Sequence, residues 1–320
     1  MGEFDLIKRY FSRKNLQNDV LLSVGDDCAI TQIPNGHRLA ITTDTLVEGT
    51  HFLPSISPAD LAYKSVAVNL SDLAAMGATP AWFSLALTLP EIREEWLAEF
   101  SQSLFAILDR YGVSLIGGDT TKGPLSITLT AQGFLPQDQG LFRHQAKEGD
   151  WIFVSGYLGD SAAGLDLLLN NRKIDTESDR YLVQRHLRPT PRVELGLALR
   201  TFSQSALDIS DGLLADLGHI LERSQVGAEI YLENLPLSRH LLNQVSLEQA
   251  EKFALTGGED YELCFTVSEE KRAEMETILR SQGIKVTCIG KILPLASGLN
   301  LIRNGEKIAL PNHIGFDHFD

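Results

Sequence analysis

The stretch SVAVNLSDLAAMGATP, residues 65–80, places one carboxylate, Asp72, in a run of otherwise small or apolar residues. Together with the preceding SPADLAYK it predicts a helix over 57–77, with Ser57 suited to cap its start and Gly77 to end it. A helix that is apolar on nearly all sides is typical of a protein core. A carboxylate buried there needs a cationic partner, because an unpaired one is costly and tends to take up a proton.

No basic side chain on the same helix can serve Asp72. The residues that share its side, at about 100° per residue, are Leu61, Ser65, Val68, Asn69, Ala75 and Met76. A bound metal ion is therefore one candidate partner. The other interpretation is a lone carboxylate that is hydrogen-bonded at a domain or subunit boundary.

Outside this helix the chain alternates between strand-like and helix-like segments, which is typical of α/β layers. Before residue 136, strands are predicted over 37–44, 81–90, 113–121 and 125–135, and an amphipathic helix over 91–112. After residue 150, a strand, a glycine turn and a helix are predicted over 151–169 and again over 205–224.

The segment 136–150 is polar, holds two glycines and has no periodicity, which predicts a domain boundary. The segment NRKIDTESDR, 171–180, predicts a solvated loop, and 253–267 places glycines and acids beside a strand. The fold class that follows is α/β with two domains, bounded as 1–137 and 148–320.

Charge and cysteine content exclude several classes of protein. The chain has 42 acidic and 28 basic residues, a formal charge of -14, which argues against nucleic-acid binding. The three cysteines, Cys28, Cys264 and Cys288, are far apart and predict neither a disulfide framework nor a zinc site, so a cytoplasmic location is expected. The N-terminus is too charged for a signal peptide, and no run reaches the ~18 apolar residues of a membrane helix.

The acidic residues concentrate at turns beside apolar strands or helix starts. They are Asp26, Asp27, Asp44, Asp119, Asp208, Asp211, Glu259 and Asp260. Each alone is explained by turn or capping chemistry, and Asp211 by a cap on the helix that follows it. Gathered at strand ends they would repel one another, and Mg²⁺ with oxygen ligands resolves that repulsion better than Zn²⁺ or Cu²⁺.

Familiar phosphate and hydrolase motifs are missing. GGDTTKG lacks the order of a Walker loop, and no G-x-S-x-G elbow occurs. GYLGDSAAG, 156–164, has the strand–turn–helix form that can hold a phosphate on backbone N–H groups, although tight packing explains its glycines more simply.

Eight stretches together resemble the thiamine-monophosphate kinase family of the aminoimidazole ribonucleotide synthetase-like superfamily. They are VGDDCAI, AITTDTLVEGTHF, KSVAVNLSDLAAMGATP, LIGGDTT, GDSAAGL, RHLRPTPR, DISDGLLADLGHI and GGEDYELCFT. The resemblance runs from residue 3 to the C-terminal GFDHF.

The resemblance implies ATP-dependent phosphorylation of thiamine monophosphate to thiamine diphosphate by direct in-line transfer assisted by several Mg²⁺ ions, the final step of thiamine diphosphate biosynthesis. It implies an N-terminal mixed-sheet domain that dimerises through its sheet and a C-terminal α/β sandwich domain that closes over the nucleotide. The expected assembly is a homodimer, and no general base is expected.

The resemblance also implies roles for individual positions. The implied Mg²⁺ shell is Asp27, Thr42, Thr43, Asp44, Asp72, Asp119, Asp208 and Asp211. The implied nucleotide contacts are Gly118, Asp119, Arg143 and Ser210, and the implied contacts to thiamine monophosphate are His51, Glu259 and Phe316. Taken singly, Arg143 is also explained as a solvated loop residue, His51 as a surface histidine and Phe316 as packing of the chain end.

Other superfamily members are the nearest alternatives: a purine-pathway cyclo-ligase, a selenophosphate synthetase and a hydrogenase-maturation protein. A hydrogenase-maturation protein ends in a reactive cysteine, whereas this chain ends in HFD. A selenophosphate synthetase requires a cysteine or selenocysteine near its N-terminus, and the first 25 residues of this chain contain no cysteine. A non-catalytic divalent-metal binder and a two-metal phosphohydrolase are alternatives of other classes. Release of ADP that requires thiamine monophosphate separates the kinase from both.

Overall fold

The computed structural model describes residues 2–13 and 17–315. The chain divides into two compact units. The first comprises the residues up to Leu73 together with Ala78–Gln139, and the second comprises Ala74–Gly77 and the residues from Gly140 onward.

The first unit is built around a mixed four-stranded sheet. Its helices are α1 (Glu3–Leu6), α2 (Pro58–Ala75) and α3 (Glu94–Arg110), with a π-helical turn at Ile7–Phe11, and its strands are β1 (Val20–Leu22), β2 (Ile30–Thr31), β3 (His37–Val47), β4 (Thr79–Leu89), β5 (Ser114–Lys122) and β6 (Ser126–Pro136). Among the described residues the sheet order is β3-β6-β4-β5, and β1 pairs with β2 separately. Strands β4 and β5 run parallel, and the other pairings are antiparallel.

Helix α2 begins and ends where its sequence predicts. The Ser57 hydroxyl accepts the backbone N–H of Asp60 at 3.0 Å, which satisfies one of the free donors at the helix start. At the other end Gly77 adopts φ +68°, and the N–H of Ala78 bonds the carbonyl of Leu73 at 2.8 Å. That left-handed conformation suits glycine because it has no Cβ. The predicted helix is therefore confirmed.

The sheet of the first unit has one covered and one open face. Side chains such as Phe83, Leu87 and Ile127 are buried. Along β3, in contrast, Ile41 and Val47 are exposed, because alternate residues of a strand point to opposite faces. The open face thus carries apolar and hydroxyl side chains.

The second unit contains a mixed seven-stranded sheet within the described residues. Its strands are β7 (Trp151–Ser155), β8 (Ser205–Asp208), β9 (Val226–Tyr231), β10 (Leu263–Val267), β11 (Val286–Pro294), β12 (Leu299–Arg303) and β13 (Glu306–Ile308), and its helices are α4 (Asp160–Leu169), α5 (Glu177–Leu187), α6 (Val193–Leu199), α7 (Leu213–Ser224), α8 (Arg239–Gln244), α9 (Leu247–Thr256) and α10 (Glu269–Ser281). The strand order is β13-β12-β9-β11-β7-β10-β8, with only β12 and β9 parallel. Apolar residues of β7, β8 and α7 pack in its main core.

One sequence prediction about secondary structure was wrong. The solvated loop expected over 171–180 ends early, because α5 begins at Glu177. A capping box explains the start: the Thr176 hydroxyl accepts the N–H of Asp179, and the Asp179 carboxylate accepts the N–H of Thr176 at 2.9 Å. In the part of the chain that the structure describes, no helix is both long and apolar enough to span a membrane.

A buried carboxylate ties β7 and β10 to two arginines in the second unit. Glu262 is fully buried. It accepts two hydrogen bonds from Arg192, both of 2.6 Å, one from Arg185 at 3.0 Å and one from the Ser155 hydroxyl at 2.5 Å. Paired, bidentate contacts of this kind are what allow a carboxylate to remain charged in a protein interior.

We expect Glu262→Ala to lower the free energy of unfolding of the second unit by about 3 kcal/mol, because it leaves two largely buried guanidinium groups without their acceptor. Differential scanning calorimetry measures the effect. The matched control is Glu276→Ala, which removes a partly exposed carboxylate 3.2 Å from Arg272 on α10 and should cost less than about 1 kcal/mol. Equal effects of the two variants would contradict this account of Glu262.

Candidate functional site

Strand β3 and helix α2 bring three predicted metal ligands together in the first unit. The Thr42 hydroxyl donates a hydrogen bond to Asp72 Oδ2. Burial, and after it the charge of Asp72, raises the pKa of Asp44 to about 7. Asp72 itself is partly exposed although most of α2 is buried. Two carboxylates that influence each other beside a hydroxyl form an all-oxygen donor set, the type that Mg²⁺ prefers.

The side chain of Thr43, also predicted as a ligand, lies on the opposite face of β3. Its hydroxyl is 3.0 Å from the hydroxyl of Thr130 on β6. Because consecutive strand residues point to opposite faces, the side chains of Thr42 and Thr43 cannot both face Asp72. Thr43 can therefore act as a ligand on the Asp72 side of β3 only through its backbone carbonyl.

A cavity of about 860 Å³ in the first unit collects other predicted residues. Asp27, Gly118 and Asp119 line it, together with exposed Cys28. Gly118 has φ +151°, and a Cβ there would lie 1.8 Å from the carbonyl oxygen of Leu85. The close approach of β4 and β5 therefore requires glycine at this position.

His51 lies in the loop after β3 and is fixed by two backbone contacts. Its Nδ1 accepts the N–H of Val47 at 3.1 Å, so a neutral His51 carries its proton on Nε2. The backbone carbonyl of His51 accepts a hydrogen bond from Lys64 Nζ at 3.3 Å. Lys64 is only 1% exposed, so a buried cation from α2 holds the loop that presents His51.

The end of β8 and the loop before β10 bring together predicted residues of the second unit. The N–H of Glu259 bonds the carbonyl of Ser210 at 2.7 Å. Asp208 is the last residue of β8 and is buried, whereas Asp211 is partly exposed in the turn that follows. Ser210, Asp211 and Glu259 therefore occupy one region of this unit.

The alternative explanation of Asp211 as a helix cap does not fit the geometry. The residue at the N-cap of α7 is Gly212, with φ +118°. The carboxylate that accepts the N–H groups of Asp211 and Gly212, at 2.9 and 3.1 Å, belongs to Asp216. Burial raises the pKa of Asp216 to about 7. The Asp211 side chain is thus not needed to cap the helix.

Two predicted ligand contacts remain. Arg143 is exposed, and its backbone carbonyl accepts a hydrogen bond from the Ser224 hydroxyl at 2.8 Å. Its charge acts on Asp216, where it lowers the pKa against the larger effect of burial. Phe316 lies outside the described residues.

Within residues 2–13 and 17–315, no group of three or more His, Cys, Asp or Glu side chains is arranged to hold a metal ion. The pair Asp44 and Asp72 still fits a divalent cation, because a second carboxylate raises the pKa of the first and positive charge would reverse that effect.

Residue-by-residue reasoning missed the side chains that hold Glu259. His186 Nδ1 lies 3.3 Å from Glu259 Oε2, and Arg185 and Arg192 hold Glu262 in the same loop. The available signal was the motif RHLRPTPR, which puts three arginines and a histidine within eight residues. A sequence cannot tell whether such a basic run is buried or solvated.

Comparison with known families matches most of the chain. The chain matches the AIR synthase related protein, N-terminal domain, over residues 25–135 and the AIR synthase related protein, C-terminal domain, over residues 147–297. The two matched regions follow one another along the chain.

Individual relatives are similar over nearly their full lengths. Thiamine-monophosphate kinase of Haemophilus influenzae is 58% identical over 322 residues, which cover 100% of this chain and 98% of that protein. The crystal structure of thiamine-monophosphate kinase from Stenotrophomonas maltophilia has a TM-score of 0.88 at 44% identity, covering 96% and 98% of the two chains. AaThiL complexed with AMPPCP and TMP has a TM-score of 0.78 at 34% identity, covering 99% and 96%.

The raised pKa of Asp44 predicts how stability depends on pH in the metal-free protein. Between its ordinary value of 3.8 and about 7, the folded state binds more protons than the unfolded state. Stability therefore falls as pH rises through this interval. We expect Asp44→Asn to abolish that fall and to raise the Tm by about 3 °C at pH 8 in the presence of a chelator, with little change at pH 4.5.

Calorimetry at the two pH values measures the difference. The control is Asp109→Asn, which alters an exposed carboxylate 3.2 Å from Arg13 and should give no gain at pH 8. An Asp44→Asn variant whose Tm shifts equally at both pH values would refute the electrostatic explanation.

Proposed function

The chain belongs to the thiamine-monophosphate kinase family, and we propose that it transfers the γ-phosphoryl group of ATP to thiamine monophosphate, giving thiamine diphosphate and ADP. The observation that carries this conclusion is the 58% identity to thiamine-monophosphate kinase over the full chain. The complex of AaThiL with AMPPCP and TMP supports the same pair of substrates. The enzyme is thus a phosphotransferase whose acceptor is itself a phosphate group, in the last step of thiamine diphosphate synthesis.

The acceptor makes a general base unnecessary. Thiamine monophosphate is a phosphate monoester with a second pKa of about 6, so its oxygen is already anionic and nucleophilic at neutral pH. Catalysis then consists mainly of positioning the two substrates in line and offsetting their charge. Mg²⁺, when bound, supplies the positive charge that a chain with a formal charge of -14 lacks.

The proposed magnesium ligands are all oxygen atoms. They are Asp27, Thr42, Thr43, Asp44, Asp72, Asp119, Asp208 and Asp211. The strongest support comes from Asp44, whose carboxylate is partly buried beside that of Asp72. A divalent cation would stabilise both carboxylates in their charged form. Thr43 fits this set only through its backbone carbonyl.

The proposed nucleotide contacts are Gly118, Asp119, Arg143 and Ser210. The cavity beside Gly118 and Asp119 offers about 860 Å³. Arg143 is exposed, and its planar guanidinium can hold a phosphate through two hydrogen bonds. Ser210 stands one residue before the acidic turn at Asp211, on the loop that also bonds Glu259.

The proposed contacts to thiamine monophosphate are His51, Glu259 and Phe316. Because Nδ1 of His51 accepts the N–H of Val47, a neutral His51 carries its proton on Nε2, and a hydrogen bond from this ring to the substrate phosphate is the contact proposed for it. Glu259 accepts a hydrogen bond from the aminopyrimidine. Phe316 offers an aromatic face to the cationic thiazolium ring, a contact worth about 1–2 kcal/mol.

We further propose that the chain forms a homodimer through the open face of the four-stranded sheet. Ile41 on β3 is 62% exposed, and Val47 on the same strand is also exposed. Exposed apolar side chains on a regular sheet face are typical of a protein–protein interface. The hydroxyls of Thr43 and Thr45 are already paired with Thr130 and Thr128, so this face presents little unsatisfied polar surface.

Two predictions about organisation stay proposals. The domain bounds 1–137 and 148–320 are supported by the division of the chain between Gln139 and Gly140. A cytoplasmic location is supported by the wide separation of the three cysteines along the sequence.

We expect Asp72→Asn to reduce thiamine-monophosphate-dependent ADP release by at least about 100-fold while the fold is kept, because the proposed metal set loses a charged ligand. A coupled ADP assay with and without Mg²⁺ measures it. Asp109→Asn, in the same unit but on α3, is the control and should retain activity. Normal kinetics in the Asp72→Asn variant would refute the assignment, and release of inorganic phosphate without ADP formation coupled to thiamine monophosphate would favour a phosphohydrolase.

We expect Ile41→Asp to convert the homodimer to monomers, because it places a charge in the proposed apolar interface. Size-exclusion chromatography with light scattering reports the mass. Ile33→Asp is the control: Ile33 is 41% exposed but lies outside the sheet, and its replacement should leave the dimer intact. An Ile41→Asp protein with the same mass as the wild type would rule out this face.

A further inference from the structure

The loop that carries Glu259 has an unusual backbone. Glu259 has φ +65° and Tyr261 has φ +50°, so two non-glycine residues on either side of Asp260 lie in the left-handed region. That conformation costs about 1 kcal/mol or more per residue and persists only where neighbouring structure enforces it. Here the N–H groups of Glu259 and Tyr261 bond the carbonyls of Ser210 and Ile209 at 2.7 and 2.8 Å.

Side chains immediately after Glu259 anchor the loop. Asp260 is fully buried and accepts the N–H of Gly159 at 2.8 Å, at the start of α4. Glu262 is held by Arg185 and Arg192, and its surroundings leave no spare room: a Cβ added at Gly156 would lie 2.2 Å from Glu262 Oε1. The backbone that presents Glu259 is therefore fixed before any ligand arrives.

The carboxylate of Glu259 has its own support in His186. This histidine is 4% exposed, and its Nδ1 lies 3.3 Å from Glu259 Oε2 and 3.2 Å from the Ser161 hydroxyl. A carboxylate only accepts hydrogen bonds, so His186 supports Glu259 in the tautomer or charge state that places a proton on Nδ1. The side chain of Glu259 is 26% exposed, which leaves the carboxylate accessible to a ligand.

A single segment of the chain supplies both the groups that fix the backbone of the loop and the group that contacts the Glu259 carboxylate. Arg185, His186 and Arg192 all belong to the motif RHLRPTPR, which spans the end of α5 and the turn before α6. The arginines fix the backbone after Glu259, and the histidine between them reaches the side chain of Glu259 itself.

We propose that His186 is a positioning residue for thiamine monophosphate: it orients the Glu259 carboxylate toward the aminopyrimidine. The inference rests on the proposed function, because it assigns a task within that substrate site. Pre-orientation of a carboxylate matters because a ligand then does not have to immobilise it on binding.

The first experiment compares two substitutions at this position. His186→Leu removes the donor and should raise the KM for thiamine monophosphate about tenfold while the KM for ATP stays within about twofold. His186→Asn keeps an N–H donor at the place of Nδ1 and should recover most of the loss. Calorimetric Tm values show whether each variant is folded, and His186→Gln replaces the leucine variant if that one unfolds, because glutamine has no donor at the Nδ1 place.

The second experiment separates positioning from a general structural effect. In a Glu259→Ala background, His186→Leu should change the KM for thiamine monophosphate by less than about twofold. With Glu259 intact, His186→Leu should likewise change the KM for an analogue that lacks the pyrimidine amino group by less than about twofold. A tenfold effect that persists in either case overturns the proposal, as does a His186→Leu enzyme with wild-type constants. A wild-type protein that does not phosphorylate thiamine monophosphate at all would instead overturn the proposed function.

Discussion

Burial of the Asp44 carboxylate beside the charge of Asp72 is the constraint on which the first unit's site depends. Burial and the charge of Asp72 together raise the pKa of Asp44 to about 7, so the two groups are held where they disfavour each other's charge. An arrangement that weakens the folded state when both groups are ionised is explained by a ligand that reverses the repulsion. We propose a divalent cation as that ligand, because in an acidic enzyme with two anionic substrates the same positive charge also offsets the phosphates.

In the second unit, carboxylates that stabilise the fold have hydrogen-bond donors from the protein itself. Glu262 is buried between two guanidinium groups, and Asp216 accepts two backbone N–H groups at the start of α7. In each case donors from the protein satisfy the carboxylate, so no ligand is needed to explain its position. This contrast separates acids by function: Glu262 and Asp216 have a structural explanation, whereas Asp44 is paired with another acid.

The sequence predicted the parts of this structure that local chemistry determines. Helix α2 follows from Ser57, an apolar run and Gly77, because these signals lie within the segment itself, and the strand predicted over 37–44 is the larger part of β3. The start of α5 was missed although Thr176 and Asp179 form a capping box, since its surface is mostly charged and gave no apolar period. The pairing of His186 with Glu259 could not be predicted, because 73 positions separate them and only the packing of α5 against the β10 loop makes them neighbours.

Long-range contacts of this kind decide which predicted ligands are prepared for binding. Lys64 holds the carbonyl of His51 from inside α2, and His186 holds the carboxylate of Glu259 from the end of α5. Both supporting groups are almost fully buried, so their own positions are set by core packing and not by solvent. Buried cationic or proton-donating groups thus fix the loop of the proposed histidine contact and the carboxylate of the proposed glutamate contact. Each of these proposed contacts therefore depends on the hydrophobic core of its own unit as much as on the exposed residue itself.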